Sequence, residues 1–173
     1  MQLPTDVPIR DLIPQIADWM RQQGSRDPSL YNLGRRQPRG PNGRKRCRWC
    51  GAEVPSRRQG WCSQACVDEY VIRTDARLAR QEVWERDRGI CQLCGVDLTK
   101  LESGLPLVRA VHGWPPTRTL WEADHVLGVA DGGGMCGLEG LRLVCCKCHP
   151  IRSGAQRRAR NRASQGVTQL RLM

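Results

Sequence analysis

Residues 122–134 read EADHVLGVADGGG, and residues 145–150 read CCKCHP. The stretch LWEADHV at 120–126 has the apolar, β-prone composition of a short strand. Three glycines then make a loop, and GLRLV at 140–144 reads as a second strand. From Cys148 to about Arg162 the pattern becomes helical and strongly basic. The order is strand, glycine loop, strand, helix. Within a strand, Asp124 and His125 point to opposite faces, but a bend near the strand end lets both reach one site. His149 lies on the first turn of the following helix. This order can bring Asp124, His125 and His149 together. Asp124 and His149 would then share one divalent ion, with water in its other positions. His125, neutral and off the metal, would take a proton from a water.

Working outward, ten cysteines in 173 residues call for disulfides or metal. The N-terminus lacks the charged and apolar regions of a signal peptide. A reducing, intracellular setting is therefore expected: a bacterial or phage-infected cytoplasm, or a nucleus if the source is eukaryotic. In such a setting Cys-x-x-Cys pairs read as zinc sites. Two thiolates at that spacing can share one tetrahedral ion. The pairs assemble into a local set, Cys47, Cys50, Cys62 and Cys66, and a long-range set, Cys91, Cys94, Cys145 and Cys148. Cys136 and Cys146 are left over, and Cys146, next to Cys145, leaves an alternative pairing open. The expected cofactors are two structural zinc ions. His149 follows a set that is already full, so it should face elsewhere.

The formal net charge of +11 is unevenly spread. Residues 35–58 hold nine Lys or Arg against Glu53, and residues 142–162 hold seven bases and no acid. Basic blocks around metal-type cysteines suggest a polyanion partner, most simply DNA. Arg152, Arg157, Arg158, Arg160 and Arg162 are the candidate phosphate contacts. No apolar run reaches the roughly 18 residues of a membrane span, so no membrane partner is expected.

The remaining segments frame this centre. Residues 8–23 place Ile9, Leu12, Ile13, Ile16, Trp19 and Met20 at helical spacing, with the regular part expected to begin at Pro14 and to stop at Gly24. This amphipathic piece either docks on the rest of the chain or binds a protein partner. Ser63 should cap one helix and Thr74 the next, whose buried side carries Leu78, Val83 and Trp84 and which Gly89 ends. Residues 95–120 read as an irregular insert in which His112, beside Trp114 and ahead of Pro115 and Pro116, has a surface or packing role. Trp49 and Trp61, beside cysteine ligands, should pack on the knuckle. The expected organisation is an N-terminal helical segment (1–34), a flexible basic linker (35–46), a four-cysteine zinc module (47–74), a catalytic core with the second zinc site (75–162) and a tail (163–173). Nucleobase deamination also joins a His to Cys-x-x-Cys. It needs His-x-Glu, and Val126 and Leu127 follow His125.

Asp124-His125, Gly132 to Gly134, Leu138-x-x-Leu141 and Cys145-x-x-Cys148-His149, together with ERDRGICQLCG upstream, resemble the zinc-stabilised branch of the HNH, or ββα-metal, nuclease family. The run over residues 47–160 is similar to the HNH module carried by animal SNF2-type annealing helicases. The resemblance implies an α+β fold: a small ββα-metal core with an N-terminal zinc knuckle and flanking helices. It implies a DNA endonuclease in which His125 is the general base and Asp124 and His149 are the ligands. The catalytic ion would be magnesium or manganese, with nickel or zinc as further candidates. One position departs from the pattern. Where the family has Asn or His bracing the loop, this chain has Gly140. Glu139 or a backbone contact would have to brace the loop instead, and Gly140→Asn would be expected to raise activity. The alternative is a catalytically weak or inactive nucleic-acid-binding or adaptor protein.

Overall fold

The computed structural model describes residues 7–23, 39–102, 104–106, 110 and 119–170. Residues 24–38, with Gly24, then His112, Trp114, Pro115 and Pro116, and the last three residues lie outside them. The elements in chain order are helices α1 (Ile9–Gln23), α2 (Gln64–Thr74), α3 (Ala76–Asp87) and α4 (Thr99–Glu102), strands β1 (Trp121–His125) and β2 (Leu141–Cys145), and helix α5 (Cys148–Leu170). The result is a mixed α+β chain. It divides into two compact units: Met1–Glu82 with His125–Leu141, and Val83–Asp124 with Arg142–Met173. Each holds one four-cysteine set. No helix among the described residues is long and apolar enough to cross a membrane.

In the first unit, α1 starts earlier than its proline suggests. It runs from Ile9, so Pro14 lies inside the helix rather than at its start. The reason is tertiary. The Ile9 and Arg10 N–H groups, which a helix start leaves unpaired, donate to the carbonyls of Arg48 and Trp49, both at 3.1 Å. Ile9 is buried with Cys47, Trp49 and Val54. One turn further on, Leu12, Ile16 and Met20 form a second cluster with Met135 of the glycine loop. These contacts outweigh the hydrogen bond that Pro14 cannot make. The apolar face of residues 8–23 is thus covered within the chain.

Ser63 caps α2 as expected, its Oγ accepting the Cys66 N–H at 3.2 Å. The cap of α3 is Asp75 and not Thr74. Asp75 Oδ1 accepts the N–H groups of Arg77 (2.9 Å) and Leu78 (3.0 Å). Thr74 remains the last residue of α2, its hydroxyl donating back to the Tyr70 carbonyl at 2.8 Å. Trp49 is 5% exposed and lies against Arg73, while Trp61 packs on Tyr70 with ring centroids 4.9 Å apart. Both tryptophans are packing residues of the knuckle.

In the second unit, Val83, Leu98, Leu143 and Val144 are fully buried. β1 and β2 form a two-stranded sheet. The Val126 N–H donates to the Gly140 carbonyl at 2.8 Å and the Cys146 N–H to the Leu120 carbonyl at 2.7 Å, so the strands run antiparallel. This register sets Asp124 directly opposite Arg142. α5 extends to Leu170, past the expected end near Arg162.

The glycine loop needs its glycines. Gly132 has φ +96°, and a Cβ on Gly133 would sit 1.8 Å from the Leu127 carbonyl oxygen.

Candidate functional site

The two sulfur sets form as the spacing predicts. Among the described residues, Cys47, Cys50, Cys62 and Cys66 bring their sulfurs within 4.8 Å of one another, as do Cys91, Cys94, Cys145 and Cys148. A tetrahedral zinc with Zn–S bonds of about 2.3 Å sets its sulfurs about 3.8 Å apart. The observed pairs are Cys50–Cys62 and Cys62–Cys66, each at 3.5 Å, and Cys94–Cys145 at 3.8 Å. Both sets therefore fit a structural zinc ion.

Their surroundings favour thiolates at the buried members. Burial works to raise the Cys47 thiol, but the N–H groups of Cys50, Cys62 and Trp49 outweigh it and lower it to about 7. At Cys91, burial is likewise overcome, chiefly by the N–H of Cys145, and the thiol falls to about 7. Cys148 moves the other way. Hydrogen bonds shared with the Cys145 and Cys94 sulfurs push it up to about 12. The rise at Cys148 is the cost of crowding sulfurs together, which a cation bound among them would offset. Cys136, outside both sets, is pushed up to about 11, mainly by burial, and is an inert packing thiol.

The second set is anchored to the strands by backbone bonds. The Gln92 N–H donates to the Leu143 carbonyl at 2.9 Å, and the Leu143 N–H donates to Asp87 Oδ2 at 2.7 Å. The Cys145 N–H donates to Cys91 Sγ at 3.3 Å. Asp87 is the anchor that sequence reading missed. Burial opposes its ionisation, but Arg86 and the Leu143 N–H hold its carboxyl below the usual range.

Beside this set, Asp124 is 6% exposed and forms the centre of a charged cluster. His149 Nε2 lies 3.8 Å from Asp124 Oδ1. Arg152 Nη1 touches both carboxylate oxygens, Oδ1 at 2.9 Å and Oδ2 at 2.8 Å. Arg142 Nε reaches Oδ2 at 3.3 Å. The structure thus brings Asp124 and His149 together, as expected. It also places Arg152, expected at phosphate, on Asp124, and adds Arg142, which sequence reading left out. Two signals pointed to them. His149 and Arg152 are three apart on one helix face, and Arg142 is the polar residue in an otherwise buried strand. His125 is the last residue of β1, and a bend follows at Val126–Leu127. Further along α5, Arg157, Arg158 and Arg162 are exposed and Arg160 is half-buried.

Asp124 and His149 offer one carboxylate oxygen and one imidazole nitrogen facing each other. That donor pair suits magnesium, manganese or zinc with water completing the shell. Arg142 and Arg152 already occupy the same carboxylate.

The Gly140 position is explained by its neighbours. A Cβ at residue 140 would lie 2.5 Å from Cys136 Cβ and 2.7 Å from its sulfur. The space that a bracing side chain would need is filled by Cys136. The loop is tied instead by its backbone, through the Gly140 carbonyl and the Val126 N–H. Glu139 is exposed. An Asn at position 140 therefore has no room to act as the brace. That substitution should instead cost about 1–3 kcal/mol through overpacking, read as a lower urea midpoint. In a double-mutant cycle, Cys136→Gly should recover much of that cost. Additive losses would show that the two side chains do not compete for space.

No family model matches the chain, and no solved structure matches it. Among curated proteins it is similar to the DNA annealing helicase and endonuclease ZRANB3. The mouse protein (Mus musculus) is 28% identical over 138 residues, covering 65% of this chain and 13% of that protein. The human protein (Homo sapiens) is 30% identical over 123 residues, covering 58% of this chain and 11% of that protein. The cattle protein (Bos taurus) is 29% identical over 123 residues, covering 58% and 12%. The chain thus spans about an eighth of the length of the curated relatives it matches.

Proposed function

We propose that this chain is a metal-dependent DNA endonuclease of the HNH type, with β1, β2 and the start of α5 as its ββα-metal core. The observation that carries the reading is the approach of Asp124 Oδ1 and His149 Nε2 at the end of one strand and the start of one helix, with His125 next in the chain. The name of the similar proteins, which includes endonuclease, supports it. The proposal is confined to phosphodiester hydrolysis and takes nothing from their annealing activity.

In this reading Asp124 and His149 hold the divalent ion. When bound, that ion supplies charge stabilisation at the scissile phosphate and the leaving oxygen. His125 accepts a proton from the attacking water. The zinc sets fix the geometry: Cys148 precedes His149 directly, so the second set pins the first turn of α5. The Gly140–Val126 backbone bond holds the residue that follows His125. The basic surface of α5 supplies the phosphate contacts.

The test is nicking of supercoiled plasmid with added magnesium or manganese, lost in Asp124→Asn. If no DNA form is cut with magnesium, manganese or nickel, the chain is a zinc-stabilised DNA-binding protein. The observation favouring that second reading is Cys136, which fills the bracing position.

DNA binding itself should be electrostatic and weakly sequence-selective. Log affinity should fall linearly with log salt as counterions are released. Neutralising Arg157, Arg158, Arg160 and Arg162 should flatten that slope by up to about one unit per arginine that meets a phosphate. An unchanged slope would show that this face of α5 does not touch the backbone.

A further inference from the structure

Asp124 is held by more positive charge than one carboxylate needs. Arg152 touches both of its oxygens through one nitrogen, and Arg142 adds a contact to Oδ2. Oδ1, the oxygen that faces His149, is the one shared with Arg152. A divalent ion taken by Asp124 and His149 would meet the Arg152 guanidinium at its own ligand atom. Two cations cannot share one carboxylate oxygen at contact distance without strong repulsion. Arg142 is different, since the contact it makes is to Oδ2.

In the same position Arg152 Nη1 also lies 3.4 Å from Gln156 Oε1, one helical turn further along α5. The exposed Arg157 and Arg158 follow on that helix. The long stem of Arg152 would let its head swing off Asp124 towards solvent without moving the helix. There it becomes a guanidinium free to make a forked contact with a phosphate.

We infer that Arg152 is an internal competitor of the divalent ion at Asp124, and that on displacement it becomes a phosphate-binding group. The inference rests on the metal assignment proposed above. It makes ion binding and DNA binding mutually supportive. The ion sees only molecules whose Arg152 has left Oδ1, so its apparent affinity is reduced by that fraction. A DNA phosphate that captures Arg152 removes the competitor, and by linkage the ion strengthens DNA binding by the same factor. Arg152 is thus a positioning and exchange residue that links the two ligands.

The test is calorimetric titration of manganese into the zinc-loaded full chain. His125→Ala serves as the background, so that added DNA stays intact. Arg152→Gln should bind manganese on the order of tenfold more tightly than its parent, and Arg142→Gln should change the affinity much less. A short duplex should tighten manganese binding in the parent and have little effect in Arg152→Gln. Arg152→Lys keeps the charge but replaces the planar guanidinium with a compact ammonium. It should fall between the two and guards against a folding defect, with zinc content as the check. If Arg152→Gln binds manganese equally or less tightly while Arg152→Lys behaves like the parent, Arg152 merely aims Asp124 and the inference is overturned. If Asp124→Asn binds manganese as well as the parent does, the ion is not at Asp124 and the proposed metal assignment fails with it. If Asp124→Asn abolishes binding but Arg152→Gln gives no gain, the inference alone fails.

Discussion

His125→Ala is expected to lower plasmid nicking by about 10²–10⁴-fold, the usual range for loss of a positioned general base, while leaving DNA affinity nearly unchanged. The two effects should separate because they arise from different residues. In the proposed mechanism proton transfer falls to one imidazole at the end of β1. Affinity would come from the basic blocks at 35–58 and 142–162, which hold sixteen of the twenty-eight Lys and Arg. Measured kcat and a filter-binding or anisotropy Kd on the same duplex decide the point. A matching loss of both would mean that His125 supports the loop rather than the reaction. Unchanged nicking would remove it from the mechanism.

The other large effect concerns the cysteines. The purified chain should contain about two zinc ions. Cys47→Ser and Cys91→Ser should each release one, with different consequences. An apparent metal-coupled folding energy of about 10–16 kcal/mol per structural zinc is comparable to the roughly 5–15 kcal/mol net stability of an ordinary domain. Losing either ion should therefore unfold whatever depends on it. Cys47 lies in a cluster with Ile9, Trp49 and Val54, so its loss should loosen α1 and the knuckle while the Asp124–His149 approach survives. Cys91 accepts the Cys145 N–H, and its neighbour Gln92 is bonded to Leu143. Its loss should release β2 and the start of α5 together. Zinc analysis with limited proteolysis of each variant distinguishes the outcomes. Equal damage from both substitutions would show that the two sets are not separate supports, and zinc-free wild-type protein would overturn the assignment.

Much of this arrangement was legible in the sequence because its signals are local. Cysteine spacing marked both sulfur sets, and two short strand-like runs around three glycines marked β1, β2 and the loop between them. Ser63 capped its helix because a cap is decided within three residues. What was missed depended on distant partners. Nothing near Pro14 reveals that Arg48 and Trp49 would accept the Ile9 and Arg10 N–H groups and pull the helix start forward. Asp75 displaced Thr74 as a cap because its carboxylate reaches two N–H groups at once. Asp124 was readable as a candidate site residue. Which of many arginines would meet it was not, until the strand register set Arg142 opposite and α5 brought Arg152 across. The meaning of Gly140 was hidden for the same reason. Its absent side chain could be understood only once Cys136 was seen to fill the space.

The two sulfur sets also differ in how far apart their members lie along the chain, and this bears on the order of assembly. Cys47 to Cys66 is a short span, whereas Cys91 and Cys94 must wait for Cys145 and Cys148. Closing a short loop loses less entropy and is faster than closing a long one. During synthesis from the N-terminus, the first set is complete while the partners of the second are still unmade. Zinc captured there would take four thiols out of circulation before Cys145 and Cys148 emerge. Eight sulfurs that could be mismatched in many ways would thus be sorted four at a time, by their place in the translation sequence.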